Sequence, residues 1–118
     1  MNTYKLKIDE EALQDIQKVT DWYNEQLQGL GTRFQKQVKT QINALKKDAL
    51  LYTKRYADVR CILIKKFPFL VHFTVDEKQL IVEVFAVIHT SRNPTIWEEK
   101  KSKLKIGLGS KLQTYSST

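Results

Sequence analysis

A histidine and an arginine lie three residues apart, at His89 and Arg92, where the most apolar part of the chain ends. Imidazole exchanges a proton near neutral pH, so His89 is a candidate acid or base. The guanidinium of Arg92 is suited to holding a phosphate through paired N–H donors. The structural alternative is that His89 caps a turn by hydrogen bonding and that Arg92 ties a C-terminal helix to the preceding strand.

Four further side chains are candidates for chemistry. Arg60 is predicted to face the core and to bind loop carbonyls, and Lys65 to be solvated or to contact nucleic acid. His72 has no second histidine or cysteine predicted nearby, so we expect neither a metal site nor a cofactor. Cys61, the only cysteine, is predicted to be a packing residue, because the sequence does not place the partner that an activated thiolate needs.

These side chains belong to three β-branched and aromatic runs within residues 59–89, separated by two short polar or proline-marked breaks. Their alternation predicts a three-stranded antiparallel meander. One face is predicted to pack against helices and to hold Ile62, Ile64, Phe69, Val71, Phe73, Val82, Val84 and Ala86. The other face is predicted to be open and to hold Cys61, Leu63, Leu70, His72, Glu83, Phe85 and His89.

The N-terminal part supplies those helices. Residues 3–8 alternate as a half-buried strand, and Asp9 is a candidate N-cap for a helix that ends near residue 28. Its apolar stripe consists of Ala12, Ile16, Val19, Tyr23 and Leu27. Two glycines then predict a stop, and Thr32 is the predicted cap of a second helix that ends near residue 47. Its stripe consists of Phe34, Val38, Ile42 and Leu45. The short break predicts a helix hairpin, and residues 48–58 are predicted to be a loop.

The predicted fold class is therefore α+β, with an N-terminal strand, an antiparallel helix hairpin on one face of an antiparallel sheet, and a short C-terminal helix over residues 95–101. The domain is predicted to span residues 1–101, followed by a basic tail over 102–118. Residues 100–118 contain five lysines and no acidic residue, in a chain with a net charge of +7. Such a tail is either solvated or attracted to an acidic partner.

In this order, the strand, the helix hairpin and the sheet resemble the RelE/ParE superfamily of type II toxin–antitoxin toxins, and its ParE-like members more closely. The resemblance covers about residues 3–100, with Arg60, the Phe67-Pro68-Phe69 run, the Val87–Pro94 segment and Trp97 among the matching features. It implies a small cytoplasmic bacterial toxin that a cognate antitoxin neutralises. ParE-like members inhibit DNA gyrase and are not nucleases, whereas RelE-like members cut mRNA on the ribosome.

The residues at the catalytic positions favour the gyrase-directed branch. RelE-like toxins place lysine and arginine at positions that match Cys61, Leu63, Leu70 and Arg92 here, and only Arg92 is basic. Apolar side chains cannot neutralise the charge that builds up on phosphorus during cleavage. The alternative is a ribosome-dependent mRNA endonuclease that uses Arg92, His89, Arg60 and Lys65. Arg60 joins the matching positions if the alignment shifts by one residue.

The open face is also the predicted partner surface, through Leu63, Leu70, His72 and Phe85. An exposed apolar patch of this kind marks an interaction site, and an antitoxin segment would add a helix or an edge strand there. The alternative occupant is the chain's own tail, with Leu104, Ile106 and Leu108. The N-terminus lacks the apolar segment of a signal peptide, and no apolar run is long enough to span a membrane. We therefore expect a cytoplasmic protein.

Overall fold

The computed structural model describes residues 3–92. The helices and strands are β1 (Lys5–Ile8), α1 (Glu10–Gln26), α2 (Leu30–Asp48), a short 3-10 turn (Ala49–Leu51), β2 (Lys54–Tyr56), β3 (Val59–Leu63), β4 (Phe69–Asp76) and β5 (Ile81–His89). The predicted C-terminal helix at 95–101, the domain boundary at 101 and the basic tail at 102–118 lie outside the described residues. No helix within residues 3–92 combines the length and the apolar character that crossing a membrane requires.

The five strands form one sheet in the order β1-β5-β4-β3-β2. The predicted α+β class, with a helix hairpin on one face of the sheet, is confirmed. The sheet is mixed rather than wholly antiparallel, because β1 pairs with β5 in parallel and places Leu6 opposite Val82. Parallel neighbours need a long connection, and here the chain between them includes both helices and three further strands. The predicted loop at 48–58 contains β2, a three-residue edge strand.

Two glycines shape the helix hairpin. Gly29 has a φ of 90°, a conformation that glycine adopts without steric cost, and it turns the chain into α2. The second helix begins at Leu30, so the prediction that Thr32 caps it was wrong. Gly31 lies in the first turn of α2, and its N–H donates to Oδ1 of Asn24 at 2.7 Å. The two helices therefore cross in close contact at Gly31.

The apolar stripes of both helices cover one face of the sheet. All four predicted core residues of α2 are buried, namely Phe34, Val38, Ile42 and Leu45. In α1, Ala12 and Ile16 are buried, whereas Leu27 is exposed because the helix ends before it. The centroid of the Phe34 ring lies 5.2–5.5 Å from the ring centroids of Tyr23, Phe67 and Phe69. Through this aromatic cluster the helix hairpin packs against the loop between β3 and β4.

A β-bulge in β5 interrupts the alternation of its side chains. Phe73 of β4 is opposite Val84, but the preceding residue, His72, is opposite Ala86. Phe85 is therefore an extra residue on β5. Beyond a bulge of this kind, each side chain of the strand lies on the opposite face of the sheet from the one that strict alternation predicts.

Because of the bulge, two predictions from the sequence were wrong. Ala86 and Ile88 lie on the face away from the helices, and Val87 lies among the core residues that pack against them. His89 is opposite Phe69 and is on the helix side as well. The predictions that Ala86 faces the helices and that His89 faces away from them were wrong. We call the side away from the helices the outer face, and it carries Val59, Cys61, Leu63, Leu70, His72, Phe85, Ala86 and Ile88.

The carboxyl of Asp9, directly before α1, holds its proton more tightly than an ordinary aspartate does. Burial, followed by a hydrogen bond and negative charge from Glu83, raises the pKa of Asp9 from 3.8 to about 7, while Lys7 opposes the shift. Because the pKa is higher in the folded chain, protonation stabilises the fold. That stabilisation is complete below about pH 4 and is lost as the pH rises through 7.

We expect Asp9→Asn to raise the free energy of unfolding at pH 8 by about 1–2 kcal/mol. This value is smaller than the full pKa shift of Asp9 would give, because Asp9 is partly exposed and solvent screens its charge. At pH 4 the variant and the native chain should have nearly equal stability. Urea midpoints at both pH values measure the difference. Glu10→Gln, at the exposed next residue, is the matched control and should show no such gain. An equal gain from Asp9→Asn at both pH values would contradict the assignment.

Candidate functional site

A groove between α1 and the end of β5 contains two of the residues predicted to do chemistry. It consists of two adjoining pockets of about 320 and 450 Å³ that share Lys18, Phe69, His89 and Arg92 among their lining residues. Trp22 of α1 lines the larger pocket. We call this the α1–β5 groove. The proximity of His89 and Arg92 was predicted from the sequence, whereas the contribution of α1, which includes Lys18 and Trp22, was not.

His89 has a structural role in the turn that follows β5. Its Nδ1 accepts a hydrogen bond from the backbone N–H of Ser91 at 3.0 Å and lies 2.8 Å from the Ser91 hydroxyl. The backbone N–H of Arg92 donates to the carbonyl of His89 at 3.0 Å. Since Nδ1 accepts an N–H, the neutral ring carries its proton on Nε2 and presents a donor there. This is the turn-capping role, the predicted alternative to acid–base chemistry.

The wall of the groove is fixed by a contact between α1 and β5. The last β1–β5 pair is Ile8 and Val84, so no strand among residues 3–92 pairs with the backbone N–H of Val87 on this side. Oδ2 of Asp15 accepts this N–H at 3.0 Å. The ring of Phe69 meets that of His89 nearly edge-on, with centroids 5.1 Å apart. The groove is therefore held in shape by α1, β4 and β5 together.

The exposed residues of the α1–β5 groove have the composition of a protein-binding surface. Trp22 is 55% exposed although it is one of the largest apolar side chains in the described chain. Lys18 and Arg92 line the same pocket. Tryptophan and arginine are the residues that most often dominate the binding energy of protein interfaces.

The other two cations of the predicted nuclease set lie elsewhere. Nη1 of Arg60 donates to the carbonyl oxygen of Tyr52 at 2.6 Å, which is the predicted structural role of this residue. Lys65 lines a second groove beside α2. The structure therefore brings His89 and Arg92 together in the α1–β5 groove, but Arg60 and Lys65 do not line it.

The groove beside α2 has a volume of about 440 Å³ and is basic, with Arg33, Lys36, Lys65 and Lys66 among its lining residues. Gln41 attaches the β3–β4 loop to the helix. Its side chain donates to the carbonyl of Leu63 at 3.0 Å and accepts the backbone N–H of Lys65 at 2.8 Å. The two loop lysines are thereby held opposite the cations of α2, an arrangement that attracts anionic groups.

The predicted partner residues lie on the outer face, but most of them are buried. Leu63 is 57% exposed, whereas Leu70, Phe85 and His72 are at most 6% exposed. These residues therefore do not form the exposed apolar patch that was predicted for an open face.

Cys61 and His72 are opposite each other on β3 and β4, and the Cys61 Sγ lies 3.4 Å from the His72 Nδ1. The prediction that His72 has no cysteine nearby was therefore wrong. The Tyr56 hydroxyl lies 3.1 Å from the same nitrogen. Burial raises the pKa of Cys61 to about 11, although Arg55 acts in the opposite direction, so the thiol stays protonated at neutral pH. No three metal-ligating side chains cluster within residues 3–92.

Residues 6–94 match the family model of the ParE toxin of the type II toxin–antitoxin system parDE. The chain belongs to the ParE toxin family. It is thus a type II toxin, and the resemblance to the RelE/ParE superfamily, closer to ParE-like members, is confirmed. No curated protein matches the chain at a significant level.

Solved structures share the fold of this ParE-family chain. The chromosomal ParDE system from P. aeruginosa has a TM-score of 0.66 at 17% identity, covering 75% of this chain and 98% of that chain. A mutant of the E. coli toxin RelE in the free state has a TM-score of 0.63 at 17% identity, covering 86% and 97%. The intact E. coli RelBE complex has a TM-score of 0.51 at 22% identity, covering 75% and 99%. The fold is therefore common to ParE and RelE toxins, and a shared fold does not decide the target.

Proposed function

We propose that this toxin arrests growth in the cytoplasm by binding DNA gyrase, without a cofactor, and that a cognate antitoxin neutralises it. The observation that carries the proposal is the set of side chains at the positions where RelE-like toxins hold cations. Cys61 and Leu70 are apolar and buried, and Leu63 is apolar and exposed. None of them supplies the positive charge that phosphoryl transfer needs.

The orientation of Arg60 supports the same conclusion. A shift of the alignment by one residue would bring Arg60 into the cation set. Its Nη1, however, donates a hydrogen bond to the carbonyl oxygen of Tyr52 on the helix side of the sheet. His89 in turn uses Nδ1 to cap the turn at Ser91, so the neutral ring has no spare lone pair for accepting a proton.

The α1–β5 groove is the surface that we propose for gyrase. It combines the exposed ring of Trp22 with the cations Lys18 and Arg92 on a support fixed by Asp15. An exposed aromatic ring provides apolar contact area, and the two cations complement an acidic partner surface.

We expect the purified chain to inhibit DNA supercoiling by gyrase, and Trp22→Ala to weaken this inhibition by about tenfold or more. Trp22 is exposed, so the substitution should leave the fold intact by circular dichroism. Leu51→Ala is the matched control, because Leu51 is 78% exposed and lies in the 3-10 turn outside the groove. Titration of a plasmid supercoiling assay with each protein provides the measurement. Undiminished supercoiling at saturating native toxin would contradict the proposal.

The antitoxin is the second proposed partner. The solved relatives include the ParDE and RelBE systems, in which a toxin is accompanied by its antitoxin. On this chain we propose the outer face as its docking site, through Leu63, Leu70, His72 and Phe85. Leu63 is the accessible member of this set.

The second candidate function is the ribosome-dependent mRNA endonuclease. The observation in its favour is that His89, Arg92 and Lys18 line one groove, where imidazole and cations would meet a phosphate. If this is the function, Arg92→Ala reduces mRNA cleavage by orders of magnitude, and neither the native toxin nor the variant inhibits supercoiling by gyrase.

A further inference from the structure

The groove beside α2 is lined by cations from two separate elements. Arg33 and Lys36 lie on its helix side. Lys65 and Lys66 lie on its other side, in the loop between β3 and β4. All four residues are exposed, and none of their side chains forms an ion pair with another residue among 3–92. Four positive charges therefore face one open groove, and the described part of the chain supplies no carboxylate to balance them.

The helix on one side of the groove carries almost only positive charge. Its 19 residues include five lysines and arginines and a single carboxylate, Asp48, at the last position of the helix. The polar lining residues of α2 extend from Arg33 to Thr40, which is about 10 Å of helix axis at about 1.5 Å per residue. One strand of a nucleic-acid duplex advances about 3.4 Å per nucleotide, so this length matches about three phosphates.

The lysines on the other side are held by a strained turn. The backbone N–H of Phe67 donates to the carbonyl of Ile64 at 3.2 Å, which closes a tight turn over residues 64–67. Lys66, the third residue of this turn, has a φ of 70°. Glycine is favoured in this conformation, because the Cβ of any other residue is strained there. Strained backbone is typical of functional sites, and here the strained residue contributes one of the four charges.

The groove provides charge and polar groups but little apolar surface for a ligand. The ring of Phe67 is only partly exposed, and its centroid lies 5.2 Å from that of Phe34 and 5.3 Å from that of Tyr23. Sites for single-stranded nucleic acid stack bases on exposed aromatic rings, and protein partners place apolar anchors in pockets. The phosphates of a duplex need neither, because its bases are already stacked inside. Cations and the side chains of Gln37 and Thr40 are suited to them.

We propose that the groove beside α2 binds the phosphate backbone of a nucleic-acid duplex without regard to base sequence. Arg33 and Lys36 contact the phosphates from the helix, and Lys65 and Lys66 contact them from the loop. This groove and the α1–β5 groove share no lining residue among 3–92, so a bound duplex leaves the proposed gyrase surface open. The inference goes beyond the binding of gyrase and does not depend on it.

Fluorescence anisotropy of a short labelled DNA duplex at low ionic strength, titrated with the full-length chain, tests this proposal. We expect the combined variant Arg33→Gln, Lys65→Gln and Lys66→Gln to bind at least about tenfold more weakly than the native chain. Each lost phosphate contact also reduces the slope of log affinity against log salt concentration by about 0.9, so this slope should become shallower by about 2–3. A matching RNA duplex shows which of the two sources of the same backbone binds more tightly.

The matched control removes the same charge from exposed residues that do not line the groove, through Lys5→Gln, Lys54→Gln and Lys78→Gln. It should retain most of the native affinity. Equal weakening by the two combined variants would overturn the proposal, because net charge and not a site would then attract the duplex. No duplex binding by the native chain, or tighter binding of a single strand or of polyglutamate than of the duplex, would overturn it as well.

A single substitution separates the charge of Lys66 from its conformation. Lys66→Gly relieves the strain at a φ of 70°, so we expect the midpoint of thermal unfolding to rise by about 2–4 °C. The same variant should bind the duplex about threefold or more weakly, because it loses one phosphate contact. A fold that is destabilised and a loss of binding would otherwise be hard to tell apart, and here they change in opposite directions. Unchanged affinity in the stabilised variant would contradict the contact assigned to Lys66.

Discussion

Replacing Phe34 by alanine is expected to lower the free energy of unfolding by about 3–5 kcal/mol. The ring is fully buried in α2 and contacts the rings of Tyr23, Phe67 and Phe69 at centroid distances of 5.2–5.5 Å. Its removal leaves a cavity where the hairpin, the β3–β4 loop and β4 meet. Since small domains are stable by only about 5–15 kcal/mol, much of the fold's stability depends on this one side chain.

The measurement is urea unfolding followed by circular dichroism. Phe34→Leu keeps most of the volume and should cost only about 1–1.5 kcal/mol, and Leu51→Ala, at a residue that is 78% exposed, should have almost no effect. A loss from Phe34→Ala no larger than that from Phe34→Leu would mean that the aromatic cluster is not tightly packed.

A second large effect is expected at Gly31, where an added methyl group has no room. A Cβ at this position would overlap the backbone carbonyl oxygen of Thr20 and lie 2.7 Å from Cγ of Asn24. The overlap involves the backbone of α1, so a rotamer change cannot relieve it, and the helices have to separate. We expect Gly31→Ala to destabilise the protein by about 3 kcal/mol or more, at the upper end of overpacking effects.

Gly29→Ala is the matched comparison, because it adds the same methyl group two residues earlier. Nothing lies within 4 Å of that Cβ, and the cost comes only from the φ of 90°. It should therefore be about 1–2 kcal/mol. Thermal unfolding of the two variants side by side separates backbone conformation from helix contact. Equal losses would show that the close crossing at Gly31 is not a constraint.

Most of the fold could be predicted because its core depends on local periodicity. The stripe of α2 has a regular helical spacing and is buried as expected, and the three β-branched and aromatic runs within residues 59–89 form strands. The bulge at Phe85 could not be predicted, since the residues around it, Val84 to Ile88, are all apolar and leave no alternation to interrupt. The parallel pairing of β1 with β5 is likewise decided by tertiary packing and not by any local pattern.

The candidate site was only partly predictable for a related reason. His89 and Arg92 are close in the sequence, so their proximity needs no knowledge of the fold. The contributions of Lys18 and Trp22 depend on where α1 crosses the end of β5, about seventy residues further along the chain, as the bond from Val87 to Asp15 shows. Trp22, a large apolar residue at the border of the α1 stripe, was the available signal for this surface. The pairing of Cys61 with His72 required the cross-strand register.

The fate of mRNA on translating ribosomes is the most direct test of the claim that this toxin binds a protein and does not cut RNA. Purified full-length toxin is added to a ribosome translating a defined message, and primer extension maps the 5′ ends of the fragments. Because the outer face offers Cys61, Leu63 and Leu70 where cations would be needed, we expect the message to stay full length at toxin concentrations that inhibit gyrase. Toxin-dependent cleavage within the ribosomal A site, lost in Arg92→Ala, would contradict the account.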